Sequence, residues 1–304
     1  MSGLKEHRAS LDAAQRAVLD AKVVGGERPA LEWLGLLGPV LAHDVRIGEA
    51  LERVRRRTYA ASSTFVGGWI VAIVSGVAGV APLGVAAGVV VVLALLTIVA
   101  LRVERRRLRT QDLEGEPLRL TAALLPILAE DAAPGTPVAL DLDLTGHRTD
   151  AKKLGKSDTY RKGAYHAIVD TFYDDPFLRA RVRFADGAQV SIAGRVQSRV
   201  SRKTKRSQSN KIKTKIKTKT RTTYEVDVRF PDRNYAAVPT TSGGPSPSGT
   251  DRERVRTAPG RTAVRERRVI KAVGPRVALD AAHVVDLVAH AYDRVDPTRR
   301  KKLR

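Results

Sequence analysis

The sequence predicts an α+β membrane protein: a two-helix transmembrane hairpin with flanking helices, followed by a mostly antiparallel β-sheet cytoplasmic domain and a C-terminal amphipathic helix. Three observations predict it. Residues 58–101 contain no charged side chain. Arginines bracket that run, with Arg53, Arg55, Arg56 and Arg57 before it and Arg102, Arg105, Arg106 and Arg107 after it. Beyond Pro134 the apolar spacing changes from the helical period to every second residue.

Residues 1–57 read as helices. Leu11, Ala14, Val18 and Leu19 give an uneven helical pattern, Gly25 and Gly26 interrupt it, and a second helical stretch starts near Pro29. Residues 46–57 form a basic helix that runs on toward the apolar segment.

One bilayer crossing takes about 20 apolar residues, so 58–101 is long enough for two and too long for one. Pro82, between Gly79 and Gly84, marks a reversal near its midpoint, which gives spans over 64–80 and 83–101. A buried helical pair in a large soluble core is the alternative. Short arginine-rich flanks favour the cytoplasm, and a hairpin leaves both clusters there. The expectation is therefore a two-pass protein of the cell inner or plasma membrane with both termini cytoplasmic. The run begins too far into the chain, and is too long, to read as a signal peptide. The absence of cysteine excludes disulfides and fits that compartment.

Gly68, Ala72 and Gly76 recur at spacing four in the first span, and Gly84 and Gly88 repeat it in the second. Small residues so spaced are candidate helix-packing positions, within the hairpin or between subunits. The spans carry no ionisable residue, which argues against transport by a single copy. Residues 102–133 read as a membrane-proximal helical region, with Pro126 placed to kink or divide it.

Residues 134–235 read as the β-rich domain. Val138, Leu140, Leu142 and Leu144 alternate with polar positions, and further strands are expected over 164–172, 177–184, 189–200 and 211–230. Asp186-Gly187 is a tight-hairpin signal. Residues 236–262, rich in Pro, Gly, Ser and Thr, read as a flexible loop or linker. Over 263–304 a returning strand, an amphipathic helix at 278–295 and a basic tail complete the chain.

The net charge of +22 points to an anionic partner. It concentrates in 195–223, which holds twelve Lys or Arg residues and no acidic one. Lys211, Lys213, Lys215, Lys217 and Lys219 alternate with Ile and Thr, so a strand sends every lysine to one face, extended by Arg221. Arg195, Arg199, Lys203 and Lys205 share one parity upstream, and RSQSN suits the turn between them. This basic ribbon is the candidate polyanion-binding site. Anionic lipid headgroups are the nearest candidate partner, with an acidic protein or nucleic acid as others. No aromatics interleave the lysines and no sequence-reading DNA motif is present, so nucleic-acid binding would be non-specific. Lysines also protect sheet edges, a purely structural use of the same residues.

Catalysis is not expected. Asp280, His283, Asp286, His290 and Asp293 share one face of the last helix, but the histidine spacing is seven and a solvated polar face explains them. Asp141, Asp143, His147, Asp150 and Asp158 cluster near the first strand of the domain, with Asp141 and Asp143 on one face as a carboxylate pair for a metal or as partners for ribbon lysines. No metal or cofactor follows from either group. The function expected is a non-enzymatic binding or scaffold role. A structural subunit of a homo-oligomeric membrane assembly or pore, or a non-specific membrane-associated nucleic-acid-binding protein, is the alternative.

Overall fold

The computed structural model describes residues 2–133, 135–207, 210–237, 252–274 and 279–297. The chain divides into two compact units, one of Met1–Asp20 with Pro39–Leu113 and one of Ala21–Gly38 with Glu114–Arg304. The basic tail at 299–304 and most of the linker lie outside the described residues.

The first unit is helical. Helices α1 (Ser2–Ser10) and α2 (Ala13–Ala21) precede two long ones, α3 (Ala30–Val77) and α4 (Ala81–Gln111). Asp12 and Gln15 cap α2 reciprocally: the Gln15 amide donates to Asp12 Oδ1 at 2.7 Å, and the Asp12 amide to Gln15 Oε1 at 3.0 Å. Pro39 lies inside α3 without ending it. The reversal falls at 78–80, just before the expected proline. Gly79 supplies the left-handed turn at φ 70°, and Pro82 sits in the first turn of α4, where its missing N–H is harmless.

Helices α3 and α4 are long and apolar enough to cross a membrane. Only 6% and 11% of their most apolar windows is buried, whereas a helix in a soluble core is mostly buried. They meet along a narrow seam. On α4 this seam includes Ala87, Ala94, Leu101 and Leu108, all buried at heptad spacing, and Leu101 and Leu108 pack with Ala50 and Val54 of α3. Gly68 belongs to the seam, since a Cβ there would stand 3.0 Å from Val91 Cγ2. Gly84 lies beside Ser75 and Ala72 is half-buried. Gly76 and Gly88 have nothing within 4 Å of such a Cβ. A spacing of exclusively four drifts around a helix, while the observed three-four alternation keeps the seam facing its partner.

The second unit is an antiparallel sheet with helices on one face. Its strands are β1 (Val23–Pro29), β2 (Pro137–Asp143), β3 (Lys153–Lys156), β4 (Tyr160–Lys162), β5 (Tyr165–Arg183), β6 (Gln189–Arg206), β7 (Ile212–Pro231), β9 (Arg252–Ala258) and β10 (Arg261–Val273), with a small separate pair of β8 (Tyr235–Ala237) and β11 (Val295–Pro297). The order is β1-β2-β5-β6-β7-β10-β9, with β3 and β4 beside β5, and no pairing joins the two ends among the described residues. Helices α5 (Gly115–Asp131) and α6 (Ala282–Tyr292) pack against it. Pro126 lies within α5 and does not divide it.

The covered face holds the core: Leu140, Leu142, Ala180, Val182, Val190, Ile192, Tyr224, Val226, Val228 and Val264, against Leu124, Leu125, Leu128, Val284 and Leu287. Trp33, fully buried, donates its indole N–H to the Val138 carbonyl at 2.8 Å.

Three elements differ from the expectation. Gly25 and Gly26 separate α2 from α3 as expected, but as part of a strand, β1, paired with β2; β-branched Val23 and Val24 favour the strand, and Val24 is buried. The two strands expected over 164–172 and 177–184 are one, β5. Its ladder to β6 shifts register between Asp175 and Leu178, around Pro176, which has no N–H to donate. The bulge lays the Phe177 ring over Gly194, where a Cβ would stand 2.5 Å from the ring. The far end of the segment read as a linker is β9, joined to β10 through Gly260 at φ 85°.

Candidate polyanion-binding face

The uncovered face of the sheet follows from the pairing. On β5 it carries Arg179, Arg181 and Arg183; on β6, Arg195, Arg199, Lys203 and Lys205; on β7, Lys213, Lys215, Lys217, Lys219, Arg221 and Arg229. β10 adds Arg261, Arg265, Arg267 and Lys271, and β9 adds Arg254 and Arg256. Basic side chains thus extend over this face from β5 to β9, well beyond the ribbon, while Glu27 of β1 and Asp141 and Asp143 of β2 occupy its other end.

Within the ribbon, β6 and β7 pair in unbroken register. Lys205 stands opposite Lys213, Lys203 opposite Lys215 and Arg199 opposite Lys219. Residues at the turn close it: the Ser207 amide donates to the Lys211 carbonyl at 2.9 Å, and Asn210 takes φ 60°. Lys211, Lys213, Lys215, Lys217, Lys219 and Arg221 are exposed. The tip has no covered face, because Ile212 and Ile216 on the other side are 68% and 65% exposed. Core burial begins only at Thr218, Thr220 and Thr222.

Arg195 and Arg199 are placed differently from the lysines. Arg195 makes a bidentate contact with Asp174, with Nε at 2.5 Å from Oδ1, which raises the Arg195 pKa above its ordinary value. Arg199 pairs with buried Asp170, which also accepts from Tyr160 at 2.9 Å and Ser201 at 2.5 Å. Burial pushes the Asp170 carboxyl up, but these donors outweigh it and hold the carboxyl below its usual range. Lys203 lies 5.5 Å over the Tyr165 ring and Arg199 5.9 Å over Phe172. These two arginines clamp β6 to β5, while the lysines of β7 have no ion pair among the described residues.

The carboxylate clusters have structural partners. Lys152, almost buried, lies 2.7 Å from Asp175 Oδ1 and 3.0 Å from Asp143 Oδ2, as charge contacts outside hydrogen-bond geometry. Asp143 also accepts from the Thr145 hydroxyl and amide. It therefore faces Lys152 rather than a ribbon lysine or Asp141. Burial raises the Asp175 pKa despite the lysine. Beside them His147 is buried against Glu114, with Nδ1 2.9 Å from Oε1. In α6, Arg268 of β10 reaches both His283 and Asp286 at 3.0 Å, while the Asp286 side chain stays 55% exposed. His290 lies 3.7 Å from Asp293. Among the described residues no group of three or more His, Asp or Glu has a metal-holding arrangement.

The arginines of β9 and early β10 escaped the sequence reading because the composition of 236–262 reads as a linker. The signal was the alternation Arg252, Arg254, Arg256 and a Pro-Gly turn before Arg261. Comparison with known protein families, curated proteins and solved structures finds no match to this chain.

Proposed function

We propose that the chain is a membrane-anchored, non-enzymatic binding or scaffold protein. Helices α3 and α4 form the anchor, both termini lie in the cytoplasm, and the β6–β7 ribbon contacts anionic lipid headgroups. The observation that carries the reading is the register of the ribbon. It stacks like charges directly across two strands and, among the described residues, supplies acidic partners only near its base, at Asp170 and Asp174. An unpartnered stack of this kind is unfavourable in isolation and favourable against a negative surface. Each basic group at such a surface contributes about 1 kcal/mol, so the lysines of β7 together bring a few kcal/mol. Exposed Ile212 and Ile216 give the tip an apolar side as well, suited to the headgroup boundary. A tether to the anchor raises the effective concentration of the ribbon at the membrane, so modest intrinsic affinity suffices.

The chain has no cysteine, so a single introduced thiol reports one position. With a spin label at Thr214→Cys, the full chain is compared in nanodiscs of phosphatidylcholine alone and with phosphatidylglycerol added. Headgroup contact shields the label from a water-soluble relaxation agent only in the anionic discs, and high salt restores its exposure. Equal accessibility in both lipids would overturn the reading. Equal accessibility in both lipids together with shielding of the label by added nucleic acid would reassign the ribbon to that partner.

A further inference from the structure

The β7–β10–β9 wing of the basic face is built differently from the lysine ribbon. Ala263 of β10 pairs with Arg229 on one side and Arg256 on the other. Arg261 and Arg265 sit two positions either way along β10, on the same face. Cross-strand neighbours of this kind have Cβ atoms about 5 Å apart, so the Ala263 methyl is the floor of a ring of four arginines. Arg254, paired with Arg265, adds a fifth. These side chains enclose a shallow cavity of 220 Å³.

Its charge is unbalanced. Asp227 lies 3.5 Å from Arg229, and Glu225 pairs with Arg265. Arg254, Arg256 and Arg261 have no ion pair among the described residues. Protection of β9 as the terminal strand explains charges on β9, but not arginines on the interior strands converging over an alanine. The choice of residue matters too. The ribbon uses lysine, a solvated point charge, whereas this wing uses the planar guanidinium that binds phosphoryl oxygens in pairs.

We infer that this ring is a phosphoryl-binding site that takes a pyrophosphate or two adjacent phosphomonoesters, carried on a lipid headgroup or on a soluble molecule. At 220 Å³ it is smaller than the roughly 300–1,000 Å³ of pockets that enclose drug-sized ligands, and no aromatic side chain lines it to stack a base. It recognises the charged group rather than a whole nucleotide. The inference does not depend on the membrane contact of the ribbon.

The test is calorimetric titration of inorganic pyrophosphate and orthophosphate into the full chain in a neutral detergent. Pyrophosphate binds the native chain more tightly than orthophosphate. The double variant R256Q/R261Q weakens pyrophosphate about tenfold or more, as expected for lost charge-assisted contacts. R256K/R261K keeps the charge but loses the preference for pyrophosphate, and K153Q/K156Q on β3, which removes two exposed charges outside the ring, changes neither value. Melting curves matched to the native chain exclude misfolding, and a variant that fails this check is replaced by R254Q/R256Q. Native binding without preference for pyrophosphate, or equal loss in the β3 variant, overturns the site. In nanodiscs, a bisphosphorylated lipid that abolishes pyrophosphate uptake identifies a headgroup as the source. Undiminished uptake identifies a soluble phosphoryl compound. The label at position 214 reports the ribbon alone, so the two readings fail separately.

Discussion

Lys203 and Lys215 stand directly opposite each other on β6 and β7, and Lys205 and Lys213 repeat the relationship nearer the turn. Like charges across a strand pair destabilise it, so this part of the sheet is not optimised for folding. Lys215→Glu converts a repulsive pair into an attractive one. The variant is expected to melt slightly higher, by a few tenths of a kcal/mol in stability, while headgroup contact in anionic nanodiscs falls. Thermal unfolding and label accessibility measured on the same variant check the opposition. A loss of both would mark Lys215 as structural.

The parts of the fold that were legible in the sequence are those whose pattern depends on one strand or one helix. The lysine alternation fixed the face of β7, and Asp186-Gly187 fixed a turn that the structure closes with Gly187 at φ 90°. What was hidden depends on partners distant in sequence. The helix break at Gly25-Gly26 shows itself as a strand only once β2 is beside it to pair with its backbone. The two strands expected over 164–172 and 177–184 join into one only when Phe177 is seen to cover Gly194 across the bulge. The arginine ring is assembled from three strands around Ala263, and one of those strands lies in a segment whose composition is that of a loop. Likewise the partners of Arg195 and Arg199 are visible only in the β5–β6 register.

The glycines of the hairpin differ in consequence. A side chain at 68 meets Val91, Val90 and the Ala87 carbonyl within 4 Å, while one at 76 meets nothing. Gly68→Ile is expected to destabilise the helical pair by about 1–3 kcal/mol through overpacking. Gly76→Ile falls within about 0.5 kcal/mol of the native chain. Thermal unfolding of both variants in detergent separates them. Equal sensitivity would show that Gly76 packs against another copy.

His7 and His43 meet within the first unit, with ring centroids 5.5 Å apart and His43 only 2% exposed. Desolvation lowers both pKa values, with Arg46 adding repulsion at His7, and His7, Arg8 and Arg46 adding it at His43. The folded state therefore holds fewer protons than the unfolded chain. This contribution to stability is fully present above the ordinary histidine pKa of about 6.5 and is lost as pH falls from there toward the depressed folded values. Denaturant unfolding is expected to show declining stability from pH 7 to pH 5. His43→Phe flattens the slope if the ring packs as histidine does, whereas an unchanged slope would place the titration elsewhere.

Lys152 holds together the carboxylates beneath β5. Asp175 is 2% exposed and lies 2.7 Å from the lysine, so Lys152→Met leaves a buried carboxylate without its counter-charge. Breaking such a pair costs about 3–5 kcal/mol. Asp143 suffers less, since Thr145 still donates to it twice. Asp175 already has a raised pKa, chiefly from burial, and removal of the lysine raises it further. A carboxyl whose folded pKa is raised favours the folded state at pH below its unfolded pKa and loses the advantage as pH rises through its folded pKa. The defect of Lys152→Met is therefore largest at neutral pH and shrinks on acidification, as Asp175 takes up a proton. The double variant Lys152→Met with Asp175→Asn recovers much of the loss at neutral pH, because the amide is uncharged and nearly the same size. Denaturant unfolding of the single and double variants across pH 4–7 measures this, and a defect that is independent of pH would assign the role of Lys152 to packing of its aliphatic stem.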